Sequence, residues 1–116
     1  MAEKKAKKEI EVEVTEKTFN EKVVKQSEKV PVVADFFAEW CMPCVMLGPV
    51  LEKVVKDYKG KVILAKINIE ENKKLAKEYK IMSIPSVKLF KKGEIIDSFM
   101  GNLPEAAIKE FIEKNL

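Results

Sequence analysis

The sequence predicts an α/β fold, a central mixed five-stranded sheet flanked by four helices. Three observations predict it. Short apolar runs rich in β-branched residues alternate with segments of helical period over most of the chain, which implies parallel strands joined by crossover helices. The densest run, residues 30–37, is apolar almost throughout and bounded by charge, as a strand covered on both faces reads. Near the end, two strand-like runs flank Lys91-Lys92-Gly93, a hairpin signal with a glycine available for positive φ.

The elements follow in order. In residues 10–14, Ile10, Val12 and Val14 alternate with Glu11 and Glu13, the period of a half-buried strand. Thr18-Phe19-Asn20-Glu21 has the pattern of a capping box, with Thr18 as N-cap, and Phe19, Val23 and Val24 give the short helix after it an inner face. Residues 30–37 form the second strand. The next segment begins at two cysteines and carries Leu47, Leu51, Val54, Val55 and Tyr58 at helical spacing. Pro49 lies inside this helix and predicts a kink, and Gly60 follows its end. Residues 62–69 are a third strand, and residues 72–79 a short helix with Leu75 and Tyr79 inward. Residues 86–90 and 94–100 make the hairpin. Pro104 opens a last helix, with Ile108, Phe111 and Ile112 on one face. The predicted order is β-α-β-α-β-α-β-β-α.

Composition narrows the function. At 116 residues the chain is one domain, residues 10–116, preceded by a Lys-rich tail, residues 1–9, expected to be flexible. A hydrophobic share of 47% rules out global disorder, and 35% charged residues suit a soluble surface. No apolar run approaches the roughly 18 residues of a membrane helix. The charged N-terminus lacks the apolar stretch of a secretory signal, so the expected location is cytoplasmic. All 22 basic residues are Lys; Arg and His are absent. The commonest general base is therefore missing, as is the side chain that reads phosphate and guanine bidentately. With a net charge of only +3, a nucleic-acid partner is not expected, and nothing demands more than a monomer.

Cys41 and Cys44 form one C-x-x-C, too little for a disulfide scaffold. In a reducing compartment such a pair is catalytic, redox-sensing or metal-binding. Its position is informative. Trp40-Cys41-Met42-Pro43-Cys44 lies where the central strand ends and a helix begins, so Cys41 falls among backbone N–H groups without intrahelical partners. Those groups and the helix dipole favour a thiolate. Each pKa unit of thiolate stabilisation favours the reduced dithiol by about 1.4 kcal/mol, or about 30 mV. The rival reading is a metal-binding module. Structural zinc takes four ligands, and the chain offers no further Cys and no His, so zinc would be shared between chains, or Cu(I) would be held with Met42, Met82 and Met100. Those methionines otherwise offer a pliable apolar landing surface, or plain apolar filler.

Val33-Ala34-Asp35-Phe36-Phe37-Ala38-Glu39-Trp40-Cys41-Met42-Pro43-Cys44 resembles the strand and active-site signature of the thioredoxin family. Ile84-Pro85-Ser86 is similar to that family's cis-proline loop, Pro49 to its helix kink, Lys66 to its strand lysine, and Gly101 to the glycine beside its substrate groove. The resemblance runs from residue 10 to residue 116. It implies a thioredoxin fold and a protein-disulfide reductase with no bound cofactor beyond a redox-active disulfide, Cys41–Cys44. It also implies two kinds of partner, disulfide-containing target proteins and an electron donor of the thioredoxin-reductase type.

By the same resemblance, Cys41 attacks and forms a mixed disulfide, Cys44 resolves it, and Asp35 handles the proton of Cys44 through water. Trp40, Met42, Pro43, Ile84, Pro85 and Gly101 shape the groove, and Lys66 supports Asp35. Each assignment has a plainer rival. Asp35 otherwise reads as a polar residue near a strand end satisfied by solvent, although its apolar neighbours predict burial and a raised pKa and favour the proton-handling role. Lys66 reads as a side chain snorkelling to water, Pro85 as an ordinary trans turn residue, and Trp40 as packing. Two positions depart from the family pattern: Met42 stands where glycine is usual, which puts the redox potential in question, and Phe37 where tryptophan is usual.

Overall fold

A computed structural model describes residues 10–116, and the tail expected over residues 1–9 lies outside them. Five strands, β1 (Glu11–Glu13), β2 (Val32–Phe37), β3 (Ile63–Asn68), β4 (Ser86–Lys91) and β5 (Glu94–Met100), form one sheet in the order β1-β3-β2-β4-β5. β1, β3 and β2 run parallel, while β4 is antiparallel to β2 and to β5. The helices are α1 (Asn20–Lys25, continued by a 3-10 turn at Gln26–Glu28), α2 (Met42–Asp57), α3 (Lys73–Glu78) and α4 (Glu105–Glu113). The expected mixed sheet and four helices are all present, in the expected order.

β2 lies at the centre and both its faces are covered, which explains its unbroken apolar reading. Its side chains alternate between two cores. Val33 joins Leu47, Leu51, Leu64, Val87 and Ile108 under α2 and α4. Val32, Ala34 and Phe36 join Phe19, Val23, Ile67, Leu75 and Phe90 under α1 and α3. Asp35 shares its face with Val33, and so points toward α2.

The hairpin turns at Lys92 and Gly93, both with positive φ (56° and 82°), as a type I′ turn requires. Ser27, at the end of α1, pins that turn: its Oγ accepts from the Gly93 N–H at 2.8 Å and its carbonyl from the Lys92 N–H at 2.9 Å. α2 runs through Pro49 without ending.

The start of α1 departs from expectation. The Lys22 N–H does bond the Thr18 carbonyl, at 2.8 Å, but no capping box forms. The Thr18 hydroxyl faces the other way and accepts from the Thr15 N–H at 3.0 Å, while Glu21 lies exposed beside Lys25. The tight turn from Thr15 to Thr18 thus engages the hydroxyl locally, in competition with a helix cap.

Candidate functional site

After β2 ends, the chain turns through Ala38, Glu39 and Trp40, and the Cys41 N–H donates to the Ala38 carbonyl at 3.2 Å. Cys41 is the N-cap of α2, with an extended backbone (φ −86°, ψ 109°) that folds its side chain over the first turn. There its Sγ accepts from the Cys44 N–H at 3.2 Å. This donor is one of the N–H groups that a helix start leaves without a partner, and it stabilises negative charge on sulfur once the pair is reduced. Cys41 and Cys44 are joined as a disulfide, with Cα atoms 5.2 Å apart. Each residue is only 4% exposed, packed with Ala38, Phe37, Ile69 and Ile84. Pro43 lies in the first turn of α2, where its missing N–H costs nothing.

The segment before β4 closes the other side. The Ile84–Pro85 bond is cis, as the resemblance implies, and the Ile84 carbonyl oxygen lies 3.8 Å from Cys41 Sγ. The Gly101 N–H donates to the Pro85 carbonyl at 2.8 Å. Gly101 has a φ of 83°, which side-chain-bearing residues rarely adopt, and its Cβ position faces open space. Met42 begins α2, Met82 precedes Ile84, and Met100 ends β5 opposite Ser86; they are 65%, 91% and 65% exposed. Trp40 is also exposed, and its indole N–H donates to Glu70 Oε2 at 2.6 Å.

Asp35 sits deeper, 2% exposed, between Lys66 on β3 and Val87 on β4 in the strand register. Its Oδ1 is buried without a hydrogen-bond partner among the described residues. Burial pushes its pKa up to about 7; the nearby Lys66 ammonium opposes that rise and Glu52 adds to it. The reading of Asp35 as a solvent-satisfied surface residue is therefore incorrect, because β2 is covered on this face. Phe37, two residues on and about 7 Å along the strand, packs against the cluster that Cys41 and Cys44 form with Ala38. The carboxyl thus lies on the sheet face that carries the pair.

Lys66 does not ion-pair with Asp35. Its Nζ lies 3.2 Å from Glu52 Oε2 and 5.3 Å from the centre of the Phe37 ring, a cation–π contact. It stretches beneath α2 at Gly48, where a Cβ would stand 3.7 Å from Nζ. Free snorkelling to water is likewise not what it does, since its charged end is held.

Three participants escaped the sequence reading. Glu70 holds the Trp40 indole from the loop after β3, and no local pattern marks it. Glu52 and Gly48 were visible in principle: Cys44, Gly48 and Glu52 recur every four residues on one stripe of α2. No group of three Cys, Asp or Glu side chains among the described residues is placed to hold a metal ion, so the metal-binding reading gains no support. No described helix is long and apolar enough to cross a membrane.

Comparison with known proteins agrees with this geometry. The family model described as Thioredoxin matches residues 10–114. The chain is 42% identical over 104 residues to a thioredoxin of Chlorobaculum thiosulfatiphilum, covering 90% of this chain and 94% of that one. It is 45% identical over 103 residues to a thioredoxin of Rickettsia bellii, covering 89% and 96%. A mitochondrial thioredoxin of Bos taurus is 43% identical over 96 residues, covering 83% of this chain and 57% of that protein.

Proposed function

The chain belongs to the thioredoxin family and is a thiol–disulfide oxidoreductase, and from that premise we propose a cytoplasmic protein-disulfide reductase in which Cys41 attacks and Cys44 resolves. The observation that carries this order is the Cys44 N–H aimed at Cys41 Sγ at the start of α2. Of the two sulfurs, Cys41 is the one this donor and the helix dipole stabilise as thiolate.

The cycle balances as follows. The Cys41 thiolate attacks one sulfur of a target disulfide; a Cys41–target bond forms, the target S–S bond breaks, and the departing thiolate takes a proton from solvent. Cys44 then gives its proton to the Asp35 carboxylate through water and attacks Cys41 Sγ. The Cys41–Cys44 bond forms and the second target thiolate leaves and is protonated. Two electrons pass to the target, and the dithiol becomes the disulfide.

The Ile84 carbonyl, 3.8 Å from Cys41 Sγ, offers a backbone acceptor to an extended target segment. Trp40, Met42, Pro43, Pro85 and Gly101 border that approach. The exposed thioether side chains of Met42, Met82 and Met100 suit targets of varied shape. A reductase of the thioredoxin-reductase type restores the dithiol by the reverse exchange, and no bound cofactor is needed beyond the cysteine pair.

The test is a pair of variants assayed on a protein disulfide without added monothiol. Cys41→Ser abolishes turnover, and Cys44→Ser accumulates a covalent mixed disulfide with the target. Normal turnover by Cys44→Ser would overturn the two-cysteine mechanism.

A further inference from the structure

One stripe of α2 carries Cys44, Gly48 and Glu52, spaced by four residues, over the face of the sheet that carries Asp35 and Lys66. Asp35 and Lys66 are register partners, so their Cα atoms are neighbours across two strands. An ammonium that closed on Asp35 would hold it ionised, because an opposite charge within about 4–6 Å lowers a carboxyl pKa by about 1–3 units. The Lys66 side chain instead lies under Gly48 and ends on Glu52. Exposure falls inward along this line, from 40% for the Glu52 side chain to 21% for Lys66 and 2% for Asp35 as a residue.

We propose that Glu52 is a positioning residue for the resolving step: it holds the Lys66 ammonium at the outer end of the stripe and so leaves Asp35 free to take and return the Cys44 proton. This rests on the proton-handling reading of Asp35 given above.

The other charged groups around Asp35 are consistent with it. Glu11 and Glu13, on β1, lie on the far side of Lys66, and the Glu11 pKa is raised by burial first and by the Glu52 charge second. Lys53 and Lys56 line a surface cavity of about 440 Å³ together with Glu11 and Glu52, and Lys53 is engaged by Glu105 at 3.2 Å. From β4 the facing neighbour is Val87, which carries no charge. Glu52 is thus the carboxylate in contact with Lys66 that competes with Asp35 for it.

The alternative is an ordinary half-exposed ion pair worth little to stability and nothing to catalysis. A titration of the Asp35 carboxyl by carbon-detected NMR in the reduced protein separates the two. Wild type, Glu52→Gln, Lys66→Met and the double variant are compared, alongside the pH profile of mixed-disulfide resolution. Glu52→Gln is expected to lower the Asp35 midpoint by about half a unit or more and to move the limb of the resolution profile with it. In the Lys66→Met background the same substitution moves the midpoint much less, because Glu52 acts through the ammonium. An Asp35 midpoint unmoved by Glu52→Gln overturns the proposal, and so does an equal shift in both backgrounds, which would make Glu52 a bare charge. A midpoint that shifts as expected while the resolution profile stays still would instead remove Asp35 from the proton transfer and leave the positioning of Lys66 standing.

Discussion

Asp35 and Lys66 are direct register partners on neighbouring parallel strands, yet the Lys66 ammonium closes on Glu52 at 3.2 Å and leaves Asp35 Oδ1 without a hydrogen-bond partner among the described residues. A buried carboxyl in that position costs the fold stability when ionised, and this makes it useful: it accepts a proton close to neutral pH, where thiol exchange needs one accepted.

The cost is measurable as a pH dependence. The folded protein holds the Asp35 proton up to about pH 7, whereas the unfolded chain releases it near the ordinary value of 3.8. Between those values the native state binds the extra proton, so stability falls as pH rises through the window and levels off above it. The full loss is about 4 kcal/mol for a shift of this size. Asp35→Asn removes the charge but buries an amide short of partners, at about 1–3 kcal/mol. Urea unfolding is therefore expected to find the variant more stable than wild type by about 1–3 kcal/mol well above neutral pH, with the advantage gone near the unfolded pKa. Wild-type stability that does not fall between those limits would contradict the burial of Asp35.

Gly48 is buried inside α2, where glycine is the weaker helix former, and a Cβ there meets only the tip of Lys66 at an ordinary contact distance of 3.7 Å. Gly48→Ala is expected to stabilise the protein by about 0.5–1 kcal/mol, seen as a rise of about 2–8 °C in Tm. A fall in Tm would show that Lys66 cannot yield at this point.

Trp40 stands next to Cys41 and is exposed, so its orientation depends on the 2.6 Å hydrogen bond from its indole to Glu70. Glu70→Ala is expected to lower kcat/KM for a protein disulfide about three-fold, in line with a net hydrogen bond of about 0.5–1.5 kcal/mol. Turnover of a small-molecule disulfide, which makes little contact with Trp40, is expected to stay close to wild type. Equal losses on both substrates would place Glu70 in the chemistry of the cysteines instead.

Much of this was legible from residues near one another in the chain. The apolar run before the cysteines marked β2, because a strand covered on both faces has no polar side to display. Lys91-Lys92-Gly93 marked the hairpin, because its glycine adopts positive φ at no steric cost. Cys41 could be placed at a helix start because the helical period of Leu47, Leu51, Val54 and Val55 begins just beyond it. Thr18 was misread for an equally local reason, since its hydroxyl accepts from the Thr15 N–H before the helix instead of capping it.

What the sequence by itself determined, then, was the alternation of strands and helices, the C-x-x-C pair at their junction, and the family resemblance of the motifs around it. These depend on periodicity and backbone preference, which act over a few residues. Only the tertiary structure decided which carboxylate holds Lys66, how deeply Asp35 is buried, and that Glu70 steadies Trp40. Desolvation and charge pairing depend on distances between segments, such as Glu52 on α2 and Lys66 on β3, that come together only when helix and sheet pack.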